Sequence, residues 1–95
     1  MRVLVTRPEP AASATATALA ALGHDTVVTP LLAPALRPWT APATLPQALL
    51  VTSANTVRHG GDALRNYQAL PVFAVGAATA TALRAAGFEP IVVQD

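Results

Sequence analysis

The sequence predicts an α/β domain built on a mainly parallel sheet flanked by helices. Three observations carry this: short β-branched runs recur along the 95 residues, alanine-rich helical stretches alternate with them, and each helical stretch stops at a glycine. In sheets of this kind, ligands gather at the carboxyl ends of the strands.

Residues 3–6 (VLVT) are a short apolar run ended by Arg7 and Pro8, suited to a buried parallel strand. Pro8 and Pro10 then fall where a helix begins, since proline is tolerated in the first turn. The following AASATATALAAL closes on Gly23, a left-handed stop after Leu22. Leu19 and Leu22 share a face with Ala12 and Ala16, a thin stripe that lets the helix approach a sheet closely. Residues 26–29 (TVVT) form the second strand, and Pro30 ends it. Five prolines from Pro30 through Pro46 forbid a long regular element there. That stretch is expected to be an irregular crossover that buries Leu31, Leu32, Leu36 and Trp39. Residues 48–52 make the third strand, and residues 56–60 with 62–68 a helix broken at Gly60-Gly61. The fourth strand is 72–75, a helix runs from Gly76 to residue 86 and stops at Gly87, and the fifth strand is 90–93.

An internal resemblance supports this register. Ala14-Thr15-Ala16-Thr17-Ala18-Leu19 recurs as Ala78-Thr79-Ala80-Thr81-Ala82-Leu83. Both copies continue to a glycine, an acid and a β-branched strand. Low complexity and shared βαβ ancestry both account for the match, and either predicts two helices built alike.

Composition excludes several classes of function. The chain has no cysteine, so neither disulfides nor thiolate metal sites support its core. Its length lies near the lower limit for a core made without such help. The net charge is +1, with six arginines spread singly, so no basic stripe for nucleic acid is present. The apolar N-terminal run is too short for a signal peptide or a membrane span, and a soluble cytoplasmic protein without membrane contact is expected.

Ser53, His59 and Asp62 invite a hydrolase reading, but no Gly-x-Ser-x-Gly elbow surrounds Ser53. His59 is instead expected on an exposed helix face, and His24 in the turn after Gly23. The turn after the first strand lacks the Gly-x-Gly-x-x-Gly of dinucleotide sites. A phospho-acceptor receiver would need a carboxylate where Val51-Thr52-Ser53 offers hydroxyls.

What remains is a row of neutral donors and one cation at strand ends. Arg7 follows the first strand, Thr52, Ser53 and Asn55 the third, and Gly76 with Thr79 the fourth. In a parallel sheet these groups and the helix N-termini line one edge, where an anion is favoured. Each has a structural alternative: Ser53 and Asn55 as helix caps, Gly76 as a turn residue, Thr79 bonded to its own helix, Arg7 in solvent.

Thr6-Arg7-Pro8, Leu22-Gly23-His24, the block Thr52-Ser53-Ala54-Asn55-Thr56-Val57-Arg58, and Ala74-Val75-Gly76-Ala77-Ala78-Thr79-Ala80 together resemble the uroporphyrinogen-III synthase family in order and spacing. The resemblance implies an enzyme of tetrapyrrole (haem) biosynthesis that cyclises hydroxymethylbilane, with loss of water and inversion of the last pyrrole ring. It implies no metal and no organic cofactor. The implied fold is two flavodoxin-like domains with the linear tetrapyrrole substrate in the cleft between them. Carried over by motif, Thr52, Ser53, Asn55, Gly76 and Thr79 bind substrate from the second domain, and Arg7 from the first.

On the same resemblance, residues 1–33 are the first part of domain 1, 34–47 the proline-rich crossover, and 48–95 the first part of domain 2. The fold is then incomplete relative to the two-domain family. Tyr67 does not match the motif of the family tyrosine tied to loss of the hydroxyl, so the catalytic residue is unknown. A fragment of this kind forms two partial sheets or collapses into one of up to five strands. It is expected to be a weak or inactive synthase, with self-association or a completing chain as its protein partners. Two other expectations stand beside it: a non-catalytic α/β module binding a polycarboxylate or a partner chain, and a truncated product with no function.

Overall fold

The structure, a computed structural model, describes residues 1–93 of the chain. It divides into two compact units, Met1–Pro34 and Ala35–Asp95. The element order is β1 (Arg2–Val5), α1 (Ala11–Ala21), β2 (Asp25–Val28), β3 (Leu49–Val51), α2 (Ala54–His59), a 3₁₀ helix (Asp62–Tyr67), β4 (Val72–Val75), α3 (Ala77–Ala85) and β5 (Pro90–Val93). Every strand pairing is parallel, giving a two-stranded sheet β1-β2 and a three-stranded sheet β3-β4-β5. Of the two arrangements expected, two separate sheets is the one formed.

In the first unit, alternation along β1 turns Val3 and Val5 toward α1, where Ala12 is fully buried. The methyl side chain of Ala12 permits the close helix–sheet approach that the thin stripe predicts. Leu22 departs from that expectation: it lies past the last helical residue and is 73% exposed. The helix ends there because Gly23 takes φ +87°, and the N–H of His24 returns to the Leu19 carbonyl at 3.1 Å.

The second unit holds the larger core, made by Val51, Val72, Ala74, Ala80, Leu83 and Phe88. Val51, Val72 and Ala74 come from β3 and β4, Ala80 and Leu83 from α3, and Phe88 from the turn into β5. Val57 of α2 and Leu64 of the 3₁₀ helix close its margin. The break comes at Gly61, whose φ of +76° leaves the helix, and glycine is required at Gly60 because a Cβ there would lie 2.5 Å from the Thr56 carbonyl oxygen. His59, expected on an exposed face, is half-buried at the end of α2.

The repeated stretches are built alike. Thr17 Oγ1 donates to the Ser13 carbonyl and Thr81 Oγ1 to the Ala77 carbonyl, both at 3.0 Å. The Phe88 N–H returns to Leu83 as His24 does to Leu19, and Gly87 takes φ +92°.

Residues 29–48 form no helix or strand. Prolines stand at every fourth position from 30 to 46, so no run of backbone donors survives to build one. The expected burial of its large side chains is overturned: Leu31, Leu32, Leu36 and Trp39 are all exposed. A segment without an element of its own runs over the surface. Trp39 is held there by its indole Nε1–H, which donates to the Gly60 carbonyl at 2.7 Å.

The covered and uncovered sides of the second sheet differ sharply in what they contribute. Leu83 is fully buried in the core and Leu50, on the opposite side, is 68% exposed. Leu83→Ala is expected to cost about 2–5 kcal/mol in urea unfolding followed by circular dichroism. Leu50→Ala is expected to change stability by no more than about 0.5 kcal/mol.

Candidate functional site

Register places the candidate groups of the second unit side by side. Val51 pairs with Ala74 and Ala74 with Val92, so Thr52 follows β3 at the level where Val75 still lies in β4. One residue further, Ser53 and Gly76 occupy the same level, each immediately before a helix. The third and fourth strands therefore end together, and α2 and α3 start from one edge.

Ser53 is the N-cap of α2. Its extended backbone (φ −148°, ψ 139°) lets Oγ accept the Asn55 N–H at 3.1 Å. Asn55 is half-buried, and its Oδ1 accepts from Arg58 Nη1 at 3.2 Å. With that oxygen engaged, the carboxamide NH₂ is the end left to serve as a donor. Thr52 is exposed beside this cap.

Gly76 lies at φ +87°, a conformation side chains other than hydrogen rarely adopt, and the space where a Cβ would stand is open. Its N–H donates to the Val93 carbonyl at 3.3 Å, tying the turn to β5. The first backbone bond of α3 runs from Ala80 N–H to the Gly76 carbonyl at 3.2 Å. The N–H groups of Ala77, Ala78 and Thr79 thus have no partner within the helix, as at any helix start. No acidic residue sits in the first turn of α3. Thr79 is buried, at 5% exposure, on the side of α3 that carries Ala80 and Leu83.

In the first unit the same helix position is differently furnished. Glu9 places its carboxylate on the start of α1, where Oε1 accepts the Ser13 N–H at 2.7 Å and Oε2 accepts the Ser13 hydroxyl. Arg7 is exposed after β1, and its Nη1 donates to Thr15 Oγ1 at 2.8 Å. Thr15 is the repeat counterpart of Thr79.

The structure brings Thr52, Ser53, Asn55, Gly76 and Thr79 to one edge of the second sheet, and holds Arg7 at the strand end of the first. Two residues were missed in the sequence: Arg58, which fixes Asn55, and Glu9, which caps α1. The signal was spacing, three residues from Asn55 to Arg58 and four from Glu9 to Ser13. An open concavity of about 610 Å³ lies between α2 and α3, lined by Val57, Arg58, Ala78, Thr81, Ala82, Ala85 and Ala86. None of the six candidate residues lines it; it belongs to the helical flank. Among the described residues no cluster of His, Asp or Glu fit to hold a metal is found, and no helix is long and apolar enough to cross a membrane.

Parallel strands whose carboxyl ends carry helix starts and neutral donors define a parallel α/β protein, consistent with part of a flavodoxin-like fold. Residues 13–95 match the family model of uroporphyrinogen-III synthase HemD, and the chain belongs to that family. No curated protein matches it.

The cap and the turn can be separated by substitution. Ser53→Ala is expected to cost about 1 kcal/mol of stability and Ser53→Asp almost nothing, measured by urea unfolding.

Proposed function

We propose that the chain acts in the manner of uroporphyrinogen-III synthase, taking the linear tetrapyrrole hydroxymethylbilane in tetrapyrrole biosynthesis. In this reading the carboxyl edge of β3 and β4 receives carboxylates of the substrate. One observation carries it: the two repeated helices differ at their starts. At the start of α1 the Ser13 N–H and hydroxyl already hold the carboxylate of Glu9, while α3 has no acid in its first turn and open space over Gly76. An exogenous carboxylate fits the second place and competes with Glu9 at the first.

Thr52, Ser53, Asn55, Gly76 and Thr79 are assigned to substrate binding, with the N–H groups of the α3 start as the principal donors. Ser53 and Thr79 serve mainly by fixing the turns, since one is spent as a cap and the other is buried. Arg7, exposed at the end of β1, supplies a cation for another carboxylate. We assign the units containing these two edges to the first parts of the two family domains.

The six residues contain hydroxyls, an amide, a backbone turn and a guanidinium, and no carboxylic acid or imidazole. Such a set binds and orients an anion but offers no ready proton donor for the departing hydroxyl. Turnover by the 95-residue chain is therefore expected to be weak, with binding retained.

Freshly made hydroxymethylbilane supplied to the chain tests both parts. The expected outcome is saturable binding with little type III product above the type I product that forms without enzyme. Strong enrichment of type III would overturn the weak-catalyst reading, and absence of saturable binding would overturn the site. Gly76→Val, which blocks the open space over the turn, is expected to weaken binding at least tenfold, and Arg7→Ala several-fold, with circular dichroism confirming the fold.

A further inference from the structure

We propose that Thr15 is a positioning residue, whose hydroxyl holds the Arg7 guanidinium ready for a carboxylate of the substrate. The inference rests on the proposed binding of a carboxylate-rich tetrapyrrole and names the residue that makes Arg7 effective in it.

The segment between β1 and α1 fixes where the Arg7 side chain starts. On one side the Thr6 carbonyl accepts the Leu31 N–H at 3.2 Å, and on the other the Pro8 carbonyl accepts the Ala12 N–H at 3.0 Å. Pro8 and Pro10 each lock a φ angle, and Pro8 also restricts Arg7 itself. The backbone at Arg7 is therefore held, and what is left to move is the long side chain. An exposed arginine ordinarily samples many rotamers, and a ligand that needs one of them binds more weakly for having to select it.

Thr15 removes that freedom. It is half-buried on α1, and its Oγ1 accepts from Arg7 Nη1 at 2.8 Å. Thr17 and Thr81, in the same repeated stretch, instead donate their hydroxyls to carbonyls four residues back in their own helices. At Thr15 the hydroxyl oxygen serves the strand end. A helix is a rigid base for such a support, which is what a binding group needs behind it.

The chemistry of the support matters as much as its place. A hydroxyl is neutral, so it orients the guanidinium without cancelling its charge, as a carboxylate would. Glu9, in the same segment, is engaged with Ser13 instead. Among the described residues the bond to Thr15 is the one hydrogen bond of the Arg7 side chain, so the rest of its donor fork stays open to a carboxylate.

Titration of the whole chain with freshly made hydroxymethylbilane, beside magnetic relaxation of the Arg7 side-chain nitrogens without ligand, tests this. Thr15→Val keeps the shape and removes the hydroxyl; it is expected to release the guanidinium to fast motion and to weaken binding by about two- to tenfold. Thr15→Ala, a better helix former, serves the same purpose if valine disturbs folding. Thr15→Ser is expected to keep both the order and the affinity. Thr15→Asp is expected to keep the order and lose affinity, because it neutralises the cation it holds. In an Arg7→Ala background Thr15→Val is expected to weaken binding no further. Equal mobility of the guanidinium in the unaltered chain and in Thr15→Val would overturn the proposal, as would an undiminished effect of Thr15→Val in the Arg7→Ala background. Binding that falls for Arg7→Ala and not for Thr15→Val would overturn the role of Thr15 and leave the site standing. Absence of saturable binding by the unaltered chain would instead overturn the site reading on which the proposal rests.

Discussion

Register between parallel strands is the constraint on which the rest of this molecule depends. In a parallel ladder, fixing one pair fixes every level of the sheet, because a slip of one residue exchanges the two faces. Pairing Val51 with Ala74 and Ala74 with Val92 does three things at once. It buries Val51, Val72 and Ala74 beneath α3, ends β3 and β4 at a common edge, and aligns Leu50, Phe73 and Ile91 on the far side. The core, the candidate site and the apolar face are consequences of one set of hydrogen bonds.

Much of this was legible in the sequence, and the reason is local. Strands of four residues bounded by proline and glycine are set by backbone chemistry, so β4 falls on residues 72–75 and β5 on 90–93 as expected. The strands β1 and β2 are displaced by one residue toward the N-terminus. Their ends are set by pairing with each other, which composition does not reveal. The helix stops at Gly23 and Gly87 were legible because only a positive φ closes those turns. The proline-rich stretch is irregular, as its composition predicts, but exposed. Apolar side chains such as Leu31 and Leu36 go inside only where an element carries them there, and residues 29–48 provide none. At the candidate site, the backbone positions of Ser53 and Gly76 could be anticipated from residue type. Side-chain engagements such as Arg58 with Asn55 and Glu9 with Ser13 needed coordinates.

The repeated ATATAL stretch shows how one local design is turned to two uses. Its helix body and its C-terminal closure are the same in both copies, down to the threonine hydroxyl bonded four residues back. The two differ in burial, since α3 buries Thr79, Ala80 and Leu83 and α1 only Ala12, and they differ at the start. A carboxylate carried on the chain is a tethered ligand, always present at high effective concentration, so any free anion approaching α1 meets a built-in competitor. Sequence outside the repeat, rather than the repeat itself, thus decides which helix start carries a carboxylate of its own. The carboxylate binding proposed above for the start of α3 turns on that difference.

The exposed proline-rich stretch has a consequence of its own. Few hydrogen bonds hold so long a segment without regular structure: the Thr29 and Leu31 N–H groups donate to the Val5 and Thr6 carbonyls, and the Trp39 indole donates to the Gly60 carbonyl. A glycine- and serine-rich chain of that length would surrender much configurational freedom on being held. Here each proline has already fixed one φ angle, and each also restricts the residue before it. Most of the freedom is therefore absent before docking as well as after it. The order of the segment thus rests in part on what the unfolded chain cannot do.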